Sequence, residues 1–371
     1  MFQNPEEWPA QLLLGLDLLN QSKDYGRSES ERAQAAQEGY KFIERVFNAN
    51  KQSAAAANVL SGLFLRKGQH PTALKLAERT IQYSDTLAIL SDGYLRAALV
   101  SHAEGNMTEA MKHYRAAKEG MPNSVLANVG LAQMYIHNGE SFPFILLSFF
   151  LTYHLSDEIP AAIDTLDRLL TPPNPQKSLE AMIMLASLRA HPRQGVSSAD
   201  AATEKLRSRD LYERVVKEIQ LSESDEKAHQ LRTVRSLGDD IDMWVELAQL
   251  WENDNLEKTV RAVKEALRIS RTKGGEEDPR LLNNLAALRH LEGNAAEARV
   301  LYEDALTSAA RGDEELSTTM LYNLARCYED LGETGKAQEA YDKLLARHPE
   351  YVDGMLKRSA SSILLISNTT S

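Results

Sequence analysis

Residues 318–351 read TTMLYNLARCYEDLGETGKAQEAYDKLLARHPEY. Leu321, Leu324, Ala325 and Tyr328 recur at the three-and-four spacing of one helical face. Gly332 then interrupts the pattern, and a second stripe follows at Ala337, Tyr341 and Leu344 before Pro349 ends it. Leu324 and Tyr328 stack along the first helix, while the small Ala325 and Ala337 let two helices cross closely. Gly332 supplies the turn between them. The stretch predicts a helical hairpin.

The frame recurs upstream. One copy carries Leu285, Ala286, Gly293, Ala298, Tyr302 and Ala305, and another Tyr94, Ala98, Gly105, Ala110, Tyr114, Ala117 and Pro122. A third has Leu60, Ser61, Phe64, Gly68, Ala73 and Ala77, and a fourth opens with Leu131, Ala132, Tyr135 and Gly139. A fifth, one residue shorter at the turn, has Trp244, Leu247, Ala248, Trp251, Val263 and Ala266. Turn glycines at 68, 105 and 139 are 37 and 34 residues apart, and those at 293 and 332 are 39 apart. These intervals lie near the roughly 34-residue tetratricopeptide period, whose consensus the copies match. Poorer helix pairs fall at about 9–48 and 178–220. The fold class expected is all-α: about eight hairpins stacked as a right-handed tetratricopeptide α-solenoid. An ordinary helical bundle is the competing reading.

Composition supports this. The chain has 371 residues, more than one core usually holds, with 19 glycines and 12 prolines. That scarcity argues against disorder and turn-rich β architectures. Lys and Arg number 42 against 53 Asp and Glu, a net charge of −11, so no basic footprint for direct nucleic-acid binding is present. The single cysteine, Cys327, excludes an intramolecular disulfide and a four-cysteine zinc site. MFQNPEEWPA lacks the form of a secretory signal, and no apolar run reaches the roughly 18 residues of a membrane span.

Residues 141–158, SFPFILLSFFLTYHLSDE, sit where a two-residue turn belongs. Removing them restores the fourth repeat, with Ala162 in its small slot, Leu166 in its aromatic slot and Leu169 in the next apolar slot. A membrane anchor, a functional apolar loop and a stretch foreign to the domain, such as a retained intron, compete; the last is preferred. The ending SASSILLISNTTS is similar in kind: residues 351–358 begin another repeat that no polar capping helix closes. The natural chain is therefore expected to continue, and repeats are expected upstream of Met1. Five segments result: an N-terminal array at 9–140, the insert at 141–158, the rest of the fourth repeat with an irregular helical section at 159–240, a second array at 241–358, and an unstructured tail at 359–371.

Residues that carry chemistry are missing from the sequence pattern. None of the nine histidines forms His-Glu-x-x-His, so no metal site is expected. GETGKAQ at 332–338 only superficially resembles a phosphate loop, since Asp330 stands where the first glycine belongs and Ala337 replaces the hydroxyl residue. Cys327 has no identifiable histidine partner and reads as a packed thiol. The Asn20, Asn106 and Asn368 sequons read as chance. No catalytic residue, cofactor or small-molecule substrate is expected.

Function then rests on surfaces. In this repeat, first-helix positions 2, 5, 9, 12 and 13 face the concave groove. The partner-binding candidates are Leu95, Leu99, Val129, Gln133, Ile136, Asn283, His290, Tyr322 and Arg326. The early ones are apolar, which suits an extended or helical protein segment, unless a neighbouring turn of the superhelix fills the groove. A chaperone-tail clamp is not assembled, because its slots carry Asn58, Gly62, Val245 and Gln249. An asparagine ladder is matched by Asn284 and Asn323 but broken by Val59, Arg96, Gly130 and Glu246.

GLAQMYIHNGE (130–140), MWVELAQLWENDNLEKTVRAVKEAL (243–267), LLNNLAALRHLEGNAAEA (281–298) and LYNLARCYEDLGETGKAQEAYDKLLARHPEYVDG (321–354) go beyond the generic consensus. In order and spacing they resemble the central repeats of the large tetratricopeptide subunit of the RNA polymerase II-associated factor complex. The resemblance covers most of 10–355, with 141–158 and 359–371 outside it. It implies a nuclear, non-enzymatic scaffold that holds other subunits of that complex on RNA polymerase II, supporting elongation and co-transcriptional histone modification. The chain departs from that family in lacking its further repeats and charged C-terminal region. A generic cytosolic adaptor or cochaperone, and the regulatory part of an enzyme, are the other classes.

Overall fold

The computed structural model describes residues 8–24, 26–140, 158–191, 197–224, 238–274, 277–309, 314–349 and 351. These form helices and their connections, with no strand among the described residues. The fold class is the tetratricopeptide-type helical stack expected from the repeats.

The chain divides into two compact units, one built from residues 1–191 and 224–230, the other from 192–223 and 231–371. The first holds α1 (Trp8–Gln21), α2 (Glu29–Ala49), α3 (Ala54–Arg66), α4 (His70–Tyr83), α5 (Leu87–Ala103), α6 (Met107–Gly120), α7 (Val125–Glu140), α8 (Glu158–Leu170) and α9 (Leu179–Ala190). The second holds all but the last residue of α10 (Ser198–Ser224), then α11 (Ile241–Trp251), α12 (Leu256–Gly274), α13 (Pro279–Leu291), α14 (Ala295–Ala309), α15 (Glu314–Asp330) and α16 (Thr334–Arg347). Packed hairpins pair α1 with α2, α3 with α4, α5 with α6 and α7 with α8 in the first unit. In the second they pair α11 with α12, α13 with α14 and α15 with α16. The pair expected at 178–220 is represented by α9 and α10, which belong to different units.

Local chemistry sets the boundaries. Ser28 and Glu31 form a reciprocal capping box at α2, and the side chains of Ser53, Thr86 and Asn106 accept from the first turns of α3, α5 and α6. Gly68, Gly105, Gly293 and Gly332 each adopt a left-handed backbone, with φ of 70 to 81°. Beside each, the next residue's N–H bonds five residues back, as from Gln69 to the Phe64 carbonyl (2.9 Å) and from Glu333 to the Tyr328 carbonyl (2.8 Å). This is the glycine-dependent helix stop in which a C-terminal carbonyl recovers a partner. Gly139, expected as a fifth such turn, lies instead within α7. The fifth repeat turns without glycine: Asn255 N–H bonds to the Trp251 carbonyl (2.9 Å), and its side chain caps Lys258 N–H (3.0 Å).

The repeat residues form the cores. Ala73, Ala77, Ala98, Ala110, Ala298, Ala325 and Ala337 are fully enclosed, and Tyr114, Tyr302 and Tyr341 are buried whole. Alanine at each crossing brings the backbones close enough for the tyrosine of the second helix to reach across. Gly130 shows the same economy, since a Cβ there would stand only 2.4 Å from carbons of the Tyr114 ring. Ala162, Leu166 and Leu169 of α8 are buried in the hairpin with α7, the slots that removal of the insert assigns to them. The insert lies outside the described residues apart from Glu158, the first residue of α8, and the tail at 359–371 lies wholly outside them.

Candidate protein-binding face

In the second unit, α13 and α15 are successive first helices and touch. Asn323 Nδ2 donates to Asn283 Oδ1 at 3.2 Å, and His290 Nε2 lies 2.6 Å from Asp330 Oδ2. These two links join three groove positions, Asn283, His290 and Asp330, and the neighbouring Asn323. Asn283 is buried (8% exposed) and His290 half-buried. Tyr322 is half-buried between the rings of Tyr341 (6.3 Å) and Tyr351 (5.5 Å), both edge-on. The exposed Arg326 guanidinium sits 6.0 Å from the Tyr322 ring centre and has no ion-pair partner among the described residues. The face thus combines an aromatic ring set between two others, an exposed cation and a pair of amides bonded to each other, a chemistry suited to contact with a protein segment.

In the first unit the corresponding face is built differently. Leu95 is 6% exposed and packs in the core between α5, α6 and α7; Leu99 is half-buried against the same cluster. Val129 is 8% exposed, Ile136 half-buried and Gln133 exposed. The Leu95 and Val129 side chains therefore serve packing, whereas Gln133 and Ile136 keep more of their surface accessible. A polar thread that the sequence reading missed crosses from α3 to α5. Asn58 Nδ2 donates to Asp92 Oδ2 (3.3 Å), and Arg96 Nε donates back to Asn58 Oδ1 (3.3 Å). The Arg96 guanidinium lies 3.2 Å from where a Gly62 Cβ would stand, so glycine makes its berth. Burial lowers the Arg96 pKa while Asp92 opposes that shift. The available signal was an Asp and an Arg one turn apart on a first helix, facing Asn and Gly one turn apart on the previous one.

Cys327 is completely enclosed, and its Sγ donates to the Ala295 carbonyl at 3.1 Å. Burial, seconded by Asp330, pushes the thiol up to about 11, so the thiolate needed for nucleophilic attack is suppressed at neutral pH. Among the described residues, no cluster of three or more His, Cys, Asp or Glu is placed to hold a metal ion, and no helix is long and apolar enough to cross a membrane.

Residues 277–350, which span α13 to α16, match the tetratricopeptide repeat family. Over 88% of its length the chain is 28% identical to Tetratricopeptide repeat protein 1 of Schizosaccharomyces pombe, covering 27% of that protein. It is 25% identical to RNA polymerase-associated protein CTR9 of Caenorhabditis elegans, over 84% of this chain and 25% of that one. Against RNA polymerase-associated protein CTR9 of Saccharomyces cerevisiae the identity is 22%, over 95% of this chain and 31% of that one. The chain thus spans between a quarter and a third of the length of these relatives.

Proposed function

We propose that this chain is a non-catalytic docking scaffold of the RNA polymerase II-associated factor complex. In this reading it works in the nucleus, where it supports transcription elongation and co-transcriptional histone modification by holding other subunits. The observation that carries it is the match, along nearly the whole chain, to two proteins named as RNA polymerase-associated. The first-helix faces support a binding role, because Asn283 is tied to Asn323, His290 to Asp330, and Tyr322 and Arg326 to neighbouring rings. Protein segments are the partners; nucleic acid, membrane and small molecules are not. The arrays at 9–140 and 241–358 supply the docking stretches, and the insert at 141–158 is foreign to them.

Affinity purification of the tagged full chain from nuclear extract tests this. Recovery of polymerase-associated subunits, reduced by the double variant Tyr322→Ala, Arg326→Glu, is the expected result. Recovery of chaperones alone would transfer the chain to the cytosolic-adaptor class. That alternative has less support, since two of the clamp slots, Asn58 and Gly62, are occupied by the chain's own Arg96.

A further inference from the structure

A slot in the first unit lies between the second helices α2 and α4, with α3 packed against both. Its volume is about 380 Å³. Each second helix lines it with a regular stripe: Glu44, Phe47 and Asn48 on α2, continued by Lys51, and Thr72, Lys75, Leu76 and Arg79 on α4. A stripe at i, i+3, i+4 and i+7 covers two turns, about 10 Å of groove. Leu60 and Phe64 of α3 lie across the base. Phe47 and Phe64 remain half-buried and accessible, whereas Leu60 and Leu76 are buried.

The polar groups at the slot have one sign in excess. Lys51 Nζ stands 4.6 Å from the Phe47 ring centre and the Arg79 guanidinium 5.9 Å from it, with Lys67 Nζ 5.8 Å from Phe64. Arg79 donates to the Lys51 carbonyl (3.4 Å), which closes one end. Among the described residues, none of Lys51, Lys75 and Arg79 has a carboxylate within ion-pair distance. In a chain of net charge −11, three cations against one lining carboxylate, Glu44, around two aromatic rings run against the prevailing sign, with Lys51 Nζ also donating to Asn48 Oδ1 at 2.6 Å. Cations resting on ring faces leave their outer sides open to an anion, and the rings offer an apolar seat.

We infer that this slot receives a short acidic segment of a partner protein. One large apolar side chain of that segment seats on Phe47 and Phe64, and its flanking carboxylates face Lys51, Lys75 and Arg79. The slot is walled by second helices over a first-helix base and shares no residue with the first-helix candidates, so the scaffold engages a second segment by different chemistry. The narrow two-turn slot with an aromatic base favours a peptide over a lipid surface.

The full-length chain would be titrated by fluorescence anisotropy with labelled 12-residue peptides: one alternating Glu and Leu blocks, one with Ala for Leu, and one with Lys for Glu. The Glu/Leu peptide is expected to bind, and Lys75→Glu with Arg79→Glu to weaken it about tenfold or more. The Ala and Lys versions should bind markedly less. Arg326→Glu, in the second unit, should leave the Glu/Leu affinity unchanged. The charge-neutral pair Lys75→Gln, Arg79→Gln, with helicity checked by circular dichroism, separates lost contacts from misfolding and should give an intermediate loss. Equal binding of the Glu/Leu peptide by wild type and both variants would overturn the inference. So would equal affinity for the Ala version, or sedimentation with phosphatidylserine vesicles that the Lys75 and Arg79 changes abolish. None of these outcomes bears on recovery of polymerase-associated subunits, which tests Tyr322 and Arg326.

Discussion

His290 of α13 and Asp330 of α15 meet Nε2 to Oδ2 at 2.6 Å, although they lie 40 residues apart in the chain. The contact ties the ends of two successive first helices, next to the Asn283–Asn323 link on the same pair of helices. Groove positions in this unit hold one another before any partner arrives. Asp330 is largely exposed, so solvent screens the pair. His290→Ala and Asp330→Asn, singly and together in a double-mutant cycle by urea denaturation, are expected to give a coupling below about 1 kcal/mol. A coupling of several kcal/mol would show that the link organises the fold.

Leu95 offers a sharper contrast. Because it is buried in the core of α5, α6 and α7, Leu95→Ala is expected to destabilise by about 2–5 kcal/mol, read as a lowered thermal midpoint of the helical signal. Gln133→Ala, at an exposed position two helices along, should leave the midpoint within roughly 0.5 kcal/mol of wild type.

Gly130 and Gly332 fail for different reasons. A Cβ at Gly130 collides with the Tyr114 ring, so Gly130→Ala should destabilise by about 1–3 kcal/mol through overpacking. At Gly332 the surroundings are open and φ is 75°; Gly332→Ala should lose about 1–2 kcal/mol through backbone strain alone. The companion change Tyr114→Leu ought to relieve the first and leave the second untouched, as judged by thermal midpoints.

The enclosed ionisable groups predict alkaline sensitivity. Burial raises Cys327 to about 11 and Tyr114 to about 12, and with the Glu303 hydrogen bond it raises Tyr328 to about 12. Each is neutral when protonated, and each ionises more readily once unfolded. Their contribution is therefore complete below the ordinary thiol value near 8.5 and is lost as pH climbs through about 9 to 12. A stability maximum that persisted above about pH 10 would contradict these shifts. By the same logic, a thiol reagent at pH 7.5 should label Cys327 only after denaturation.

Much of the fold was legible because the repeat places alanine, tyrosine and glycine where geometry admits little else. Ala325, Tyr341 and Gly332 lie where the 318–351 stretch puts them, and Ala162, Leu166 and Leu169 of α8 pack against α7. The candidate face was only partly legible. Leu95 and Val129 occupy groove positions in the repeat frame, yet at 100° per residue a position at the edge of an apolar stripe is covered or open according to how the next helix crosses. Arg96 was visible only as a break in an asparagine ladder, because its role depends on Asn58 and Gly62 a whole repeat earlier. The pairing shows only once the two first helices are laid side by side, 34 residues apart.

The thread from Asp92 through Asn58 to Arg96 also bears on affinity. These side chains, the long Arg96 above all, surrender their rotational freedom when the repeats stack, not when a guest docks. An incoming segment thus meets a rigid, preorganised surface and avoids about 0.5–1.5 kcal/mol of ordering loss for each side chain already immobilised. Loosening Arg96 by filling the Gly62 berth would then surface as faster dissociation rather than slower capture.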